Sequence, residues 1–383
     1  MNWFLKALKR IILIIMVFLS VVGLVALPFL FAIVQNWTEV RHLLQVVDLV
    51  EENYIEPVNS GRLVEGAAKG IVEALDDPYS VYMDSKTFKH LQEQISGAFG
   101  GVGIQVAVKD KHITVIAPIK GTPAYRAGIK AGDVIAKING EDALDMDIER
   151  AVQLLRGKPG TTVKITVVRK NESKPLEFTL TREIINVPSV DGKLLSDLPV
   201  AYISISMFNE HTGDELVKVL NDLKTEGDYK GIILDLRDNP GGELTAAVKV
   251  ADQFIGKGPV VTIRDRKGVV QVEDSDAGKL NLPLVVLVNG NSASASEIVA
   301  GAIQDYQAGV LVGTRTFGKG VVQTIYPIDN TTGLKLTTSK YFTPKGRDIH
   351  KKGITPDIVV EQPENGEDLQ LAKAKEIIRA KLY

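Results

Sequence analysis

The chain has 383 residues, enough for about two or three domains with a sizeable core. Its 45 basic and 47 acidic residues nearly balance, and no basic stripe with interleaved aromatic residues occurs, which argues against a nucleic-acid-binding role. The absence of cysteine excludes a thiol nucleophile, a disulfide framework and a metal–thiolate site.

The N-terminus predicts a membrane segment. Met1–Arg10 is basic, and Ile11–Val34 contains no charged residue, while about 20 apolar residues suffice to span a bilayer. No convincing small-residue cleavage site follows. We expect an uncleaved, single-pass signal anchor over residues 1–35, with a cleaved signal peptide as the alternative. The basic flank would stay in the cytoplasm and the rest of the chain would lie outside it, at the cell membrane.

Two regions with different periodicity follow the anchor. Residues 36–96 contain WTEVRHLLQVVDLVEENY and LVEGAAKGIVEAL, in which apolar residues recur at helical spacing. Residues 97–182 contain five short stretches typical of strands and one amphipathic helix, MDIERAVQLLRG. We therefore expect a helical region and then a domain that is mostly β with helices.

Residues 183–360 alternate strand and helix patterns, which predicts βαβ units and a largely parallel sheet. The Gly-rich turn Asn239–Gly242 follows a buried strand, the position where ligand sites cluster in such sheets. Asp235, Arg237 and Asp238 are expected to brace this turn. A Rossmann-type nucleotide domain is disfavoured because no Gly-x-Gly-x-x-Gly follows the strand.

The chain ends in a predicted amphipathic helix over Glu364–Tyr383. Its packed face is expected to comprise Leu369, Leu371, Ala372 and Ile377.

Ser294 lies where a predicted strand turns into a predicted helix, and amides at a helix start can stabilise an oxyanion. Serine needs a base to become a good nucleophile, but none of the five histidines lies in a suitable setting. Lys319 stands between two glycines without a neighbouring acid, and burial can keep a lysine neutral. Alternatively, Ser294 and Glu297 form only a helix capping box, and Lys319 is a solvated lysine.

The run SASASE, the segment TFGKG and a glutamine four residues after its lysine closely resemble the carboxyl-terminal processing (tail-specific) proteases. The resemblance implies a ClpP/crotonase-like α/β protease core without metal or cofactor. It implies that Ser294 is the nucleophile, Lys319 the general base and Gln323 the residue that orients the lysine. The spacing to Lys319 favours Ser294 over Ser292 and Ser296.

The family also uses an oxyanion hole. By resemblance one amide is that of Ala295 and the other that of Gly241, with Gly242 as an open alternative. Leu75–Ser80 matches the family's LDDPYS signature in the helical region, which helps to dimerise relatives.

The stretch PAYRAGIKAGDVIAKINGED resembles the centre of a PDZ domain, a module that binds extended C-termini by strand addition. The loop formed by Gly101, Val102, Gly103 and Ile104 would present amides to a terminal carboxylate. Arg156, at the end of the predicted helix, is either a sensor of the bound tail or a charge favoured by the helix dipole.

Together these features predict a membrane-anchored serine endopeptidase that cleaves extracytoplasmic proteins near accessible C-termini, with a PDZ domain that gates the active site. A homodimer and a regulatory protein partner are further expectations. The alternatives are a non-catalytic PDZ scaffold or chaperone, or a protease like the Ser-Lys signal-peptide peptidases. The expected domains are residues 1–35, 36–96, 97–182, 183–360 and 361–383.

Overall fold

A computed structural model describes residues 37–276, 278–363 and 366–382. The chain divides into two compact units, the first ending at Tyr82 and the second beginning at Met83. The predicted signal anchor at residues 1–35 lies outside the described residues. Among the helices that the structure describes, none combines the length and apolar character needed to cross a bilayer.

The first unit contains two helices, as the periodicity predicts. They are α1 (Trp37–Asn53) and α2 (Ser60–Glu73), and strand β1 (Val81–Met83) follows at the boundary of the unit. The Asn59 side chain caps α2 by accepting a hydrogen bond from the amide of Arg62. Asp77 orders the turn before β1, because its carboxylate accepts from the amide of Tyr79 and the hydroxyl of Ser80.

The second unit opens with a helix and a small antiparallel sheet with PDZ-like elements. Strand order in this sheet is β3-β4-β5-β7-β8, with β6 paired to β5. Strand β2 instead pairs with β9, and this two-stranded ribbon connects the sheet to the rest of the unit. The elements are α3 (Ser85–Ser96), β2 (Ala98–Gly101), β3 (Ile104–Lys109), β4 (His112–Pro118), α4 (Pro123–Arg126), β5 (Val134–Ile138), β6 (Glu141–Asp142), α5 (Ile148–Leu155), β7 (Thr162–Val168), β8 (Leu176–Thr181) and β9 (Glu183–Asn186).

A larger sheet forms the centre of the second unit, in the order β10-β11-β12-β15-β16-β19. All pairings are parallel except that of the edge strand β10. The further elements are β10 (Val190–Leu194), β11 (Val200–Ile205), α6 (Thr212–Glu226), β12 (Gly231–Asp235), α7 (Leu244–Asp252), β13 (Gly258–Asp265), β14 (Val270–Ser275), β15 (Leu284–Val288), α8 (Ala295–Asp305), β16 (Val310–Gly313), β17 (Val321–Pro327), β18 (Gly333–Phe342), β19 (Ile358–Val359) and α9 (Leu369–Leu382).

Strands β12 and β15 are buried at every position. Uninterrupted apolar strands are expected in a parallel sheet whose two faces are covered. Residues of α6, α7 and α8 contribute to one hydrophobic cluster with this sheet, and residues of α9 contribute to a second cluster. The prediction of a largely parallel sheet is therefore confirmed.

A further antiparallel sheet contains strands β13, β14, β17 and β18. Strand β18 pairs with both β17 and β13, and β14 pairs with β13. Tyr341, near the end of β18, is 1% exposed and belongs to the main core cluster.

The expected packed face of the C-terminal helix is confirmed in part, because Leu371 and Ile377 pack against the second hydrophobic cluster. Helix α9 begins at Leu369, whose side chain is 43% exposed, and Ala372 is also exposed. The fully buried positions are instead Gln370, Ala374 and Ile378, a stripe with a spacing of four residues. Ile378 fits because the sheet has a glycine beneath it: a Cβ on Gly231 would lie 3.1 Å from Ile378 Cγ2.

Candidate active site

The turn after β15 contains three serines, and the structure separates their roles. Ser292 and Ser296 are completely buried, and each donates its hydroxyl to a backbone carbonyl, 2.8 Å from Leu236 O and 3.0 Å from Asn239 O. Ser294 alone of the three is partly exposed. A hydroxyl that must attack a substrate has to be accessible, so the geometry favours Ser294.

Ser294 occupies a strained backbone conformation at the start of α8. Its φ is 53° and its ψ is −112°, a region that residues with a Cβ rarely adopt. The Ser294 amide donates to Glu297 Oε2 at 3.0 Å, which is one half of a capping box. The backbone of Ser294 therefore takes part in a helix cap, as the alternative interpretation expects. The side chain of Ser294 is nevertheless partly exposed.

Glu297 is a buried carboxylate that joins the serine turn to the lysine loop. Its Oε1 accepts from Thr316 Oγ1 at 2.5 Å and from the Gly318 amide at 2.8 Å. Its Oε2 accepts from the Lys319 amide at 2.8 Å as well as from Ser294. Burial raises the pKa of Glu297, although the four hydrogen bonds oppose that change. One side chain thus fixes the backbones of both predicted catalytic residues.

Tyr341 provides a second link between the same two residues. Its hydroxyl oxygen lies 2.5 Å from the carbonyl oxygen of Lys319 and 3.1 Å from that of Ser294. The sequence pattern did not single out Tyr341, and it indicated only a capping role for Glu297. The Ser-x-x-Glu spacing is the only sequence signal that points to Glu297, and no sequence signal points to the contacts of Tyr341.

The loop that carries Lys319 packs tightly against a later segment of the chain. Gly318 has a φ of +90°, and a Cβ there would lie 2.8 Å from the Gly353 amide nitrogen. Lys319 is half-buried, and Gln323, on β17, is also half-buried. The Gln323 amide nitrogen lies 3.3 Å from Thr337 Oγ1 on β18. The structure thus places Lys319 at a close-packed turn, as its flanking glycines predict.

The Gly-rich turn after β12 lies directly against Ser294. The Ala293 amide donates to Asn239 O at 3.0 Å, and a Cβ on Gly241 would lie 2.8 Å from both Ser294 Cβ and the Ala295 amide nitrogen. The Gly241 amide itself donates to Asn239 Oδ1 at 2.9 Å. For the Gly242 amide, no acceptor is found within the described ranges.

Charged residues brace this turn, as the sequence predicts. Arg237 donates to both Asp235 and Asp368, so it ties the end of β12 to the segment before α9. Asp238 accepts from the side-chain amides of Asn291 at 2.8 Å and Asn289 at 2.9 Å. These bonds lower the pKa of Asp238, and they hold the Gly-rich turn to the serine turn.

The predicted carboxylate-binding loop lies at the start of β3. Among the described residues, β3 pairs only with β4, so its outer edge is open. Gly103 has a φ of +76°, and its carbonyl accepts from the Ile119 amide at 2.9 Å. Val102 is 2% exposed and accepts from the Ala124 amide. The loop is therefore fixed by backbone bonds beside an open strand edge.

Arg156, just after α5, contacts residues outside the PDZ-like sheet. Its guanidinium lies 2.7 Å from the Glu93 carboxylate on α3 and 4.2 Å from the centroid of the Phe99 ring. These contacts give the side chain a specific structural role between the PDZ-like sheet and helix α3.

Comparisons with known proteins agree with this architecture. Family models match for peptidase family S41 at residues 199–360, for a PDZ domain at residues 114–169 and for the N-terminal domain of the activating protease CtpB at residues 32–87. A putative S41 protease from Bacteroides fragilis shares the fold, with a TM-score of 0.51, 16% identity and coverage of 88% of this chain and 97% of that one.

Two curated relatives are similar over most of this chain. The carboxy-terminal-processing protease of Bartonella bacilliformis is 41% identical over 324 residues, which cover 83% of this chain and 74% of that protein. The carboxy-terminal processing protease CtpA of Bacillus subtilis is 40% identical over 317 residues, which cover 82% of this chain and 67% of that protein. The chain belongs to the carboxy-terminal processing proteases of peptidase family S41, and it is a serine-type peptidase with a PDZ domain. The findings support neither alternative function that the sequence left open.

Proposed function

We propose that Ser294 is the nucleophile of this peptidase, that Lys319 is its general base and that Gln323 orients the lysine. The observation that carries the proposal is that the Glu297 carboxylate accepts hydrogen bonds from the backbone amides of both Ser294 and Lys319. A nucleophile and base tied to one buried group keep their relative position, which is what general-base catalysis requires.

The reaction follows from these roles. Ser294 attacks a peptide carbonyl near the substrate's C-terminus while Lys319, as a neutral amine, accepts the hydroxyl proton. Lys319 then gives that proton to the leaving amine, and an acyl-enzyme remains on Ser294. Water attacks the ester, again with Lys319 as base, and releases the new C-terminus.

The oxyanion hole combines the Ala295 amide with an amide of the Gly-rich turn. Ala295 is the first residue of α8, so its amide has no acceptor within the helix. Of the two glycines that the sequence left open, we favour Gly242 over Gly241, because the Gly241 amide already donates to Asn239. An amide without an acceptor in the protein is available for the oxyanion.

The substrates are proteins or peptides with accessible C-termini outside the cytoplasm. A PDZ domain binds such termini by strand addition, and here the edge of β3 is open in the part of the chain that the structure describes. The uncharged segment Ile11–Val34 supports a single-pass membrane anchor with the catalytic part on the outer side.

The helices of the first unit support a homodimer or a contact with a regulatory protein. Large apolar side chains are exposed on both helices, and exposed apolar surface of this kind marks interaction sites. They are Leu43, Leu44, Val46 and Leu49 on α1, and Val64 and Ile71 on α2.

We expect the proteolytic rate to fall on the acid side of neutrality. Lys319 acts only as a neutral amine, and the ordinary pKa of lysine is about 10.4. Glu297 can accept all four of its hydrogen bonds only as a carboxylate. Because burial raises the pKa of Glu297, this side chain takes up a proton at a higher pH than an exposed glutamate does. The measurement is kcat/KM from about pH 5 to pH 9, with circular dichroism as a check on folding. A flat profile from neutral to acid pH would contradict a lysine base.

We expect amidation of the substrate's C-terminus to slow cleavage of a long protein substrate. The Gly101–Ile104 loop would lose the anion that its amides bind, so the tail would no longer dock beside β3. The test compares kcat/KM for free-acid and amidated forms of one substrate, with cleavage sites mapped by mass spectrometry. A short peptide that spans the cleavage site but lacks the tail is the control, and its rate should not change on amidation. Equal rates for the two long substrates would remove tail recognition from the proposed function.

A further inference from the structure

Strand β14 forms the outer edge of an antiparallel sheet and leaves apolar residues exposed. Among the described residues it pairs only with β13. Val269, Val270 and Val272 are 62%, 50% and 43% exposed, and the strand contains no proline or lysine. Its charged residues, Glu273 and Asp274, lie towards its end, so the apolar first half of the edge is a template for pairing with another strand.

The hydrogen-bonding pattern identifies which residues face outward. In the turn between β13 and β14, the Asp265 amide donates to Val269 O at 3.2 Å. The backbone amide and carbonyl of one residue point to the same side of a strand, and those of the next residue point to the opposite side. Since the carbonyl of Val269 points towards β13, the amides and carbonyls of Val270, Val272 and Asp274 point away from β13. These three residues therefore offer regularly spaced donors and acceptors to an incoming strand.

The charges along this edge identify the partner. The basic residues Arg266 and Lys267 lie in the turn before β14, and the acidic residues Glu273, Asp274 and Asp276 lie at its end or just after it. An antiparallel copy of the same strand would place the acidic end of one beside the basic end of the other. A parallel copy would bring like charges together, which is unfavourable.

We propose that β14 pairs antiparallel with β14 of a second copy of this chain, about a two-fold axis through Val272. Val272 then faces its own counterpart, and Val270 faces the partner subunit's Asp274. Such a contact is isologous, as expected for a closed dimer. A strand of six residues buries less surface than a standard interface, so the pairing is weak by itself and a covalent trap is the suitable test.

The absence of cysteine from the chain makes disulfide trapping specific. In the full chain, Val272→Cys should form a disulfide-linked dimer under mild oxidation, because hydrogen-bonded antiparallel pairs have Cα atoms about 5.5 Å apart, within disulfide reach. Val270→Cys and Asp274→Cys are matched controls on the same face of the strand. Each is displaced by about 13 Å from its own counterpart, so neither should link to itself, but an equimolar mixture of the two should form a dimer.

The yield of dimer decides the proposal. We expect about tenfold more dimer from Val272→Cys than from Val270→Cys alone, in line with the distance limits of a disulfide. Adding Lys267→Glu should lower that yield, and adding Asp276→Lys as well should restore it, because the partner subunit's Asp276 lies opposite Gly268, next to Lys267. No dimer from Val272→Cys, or equal dimer from Val270→Cys alone, would overturn the proposed register and the pairing.

Discussion

Replacing Ser294 or Lys319 by alanine should abolish proteolysis while leaving the fold intact. Removal of one member of a catalytic unit typically costs about 10⁴ to 10⁶ in kcat, nearly as much as removal of the whole unit. Neither side chain belongs to the hydrophobic core clusters, so the melting temperature should change little. The measurement is kcat on an unfolded protein substrate, with thermal unfolding followed in parallel.

Three variants serve as controls for this result. Ser292→Ala should lose stability through its buried hydrogen bonds but keep the nucleophile, so activity should persist at temperatures below unfolding. Gln323→Ala should reduce kcat less than Lys319→Ala, because it removes only the group that orients the amine. The double variant Ser294→Ala with Lys319→Ala should be no slower than either single variant. Substantial cleavage by Ser294→Ala would contradict the assignment of the nucleophile.

Glu297→Gln should cause the second large loss. Glutamine has the same shape as glutamate, but an NH₂ group replaces one carboxylate oxygen and would face hydrogen-bond donors. The side chain would therefore lose its hydrogen bonds either from the amides of Ser294 and Lys319 or from the Thr316 hydroxyl and the Gly318 amide. We expect a fall in stability of about 2–4 kcal/mol, since a buried charged acceptor and its donors lose their bonds. We also expect kcat to fall by a factor of about 10², because a displacement of about 1 Å in a catalytic group has that effect.

Glu215 provides the matched control for Glu297. Its carboxylate accepts from the amide and hydroxyl of Ser189, at 2.7 and 2.6 Å, in the same unit. Glu215→Gln should lower the melting temperature without changing kcat at temperatures well below unfolding. If Glu297→Gln retained full kcat at those temperatures, Glu297 would have only a structural role, and the link between nucleophile and base would lose its functional meaning.

The local pattern of the sequence predicts the elements that carry the site. Buried runs such as Leu284–Val288 indicate parallel strands, and the polar turn and apolar repeat after them place Ser294 at a helix start. The spacing of Ser294, Lys319 and Gln323 carries the family resemblance, and the comparisons confirm the family. The pattern predicts only part of the packed face of α9, because the burial of Ile378 depends on a glycine in a distant strand that leaves room for it.

The sequence by itself determined the class of enzyme, the order of its domains and the candidate catalytic residues, because these depend on residue type and on spacing along the chain. Only the tertiary structure revealed what holds the candidates together. Glu297 contacts the Lys319 amide across 22 positions, and Tyr341 contacts the Ser294 carbonyl across 47. Such contacts form where strands and turns distant in the chain meet, so no local periodicity encodes them. The choice between Gly241 and Gly242 likewise rests on one hydrogen bond from Gly241 to a buried asparagine side chain, a detail of packing that composition and spacing do not specify.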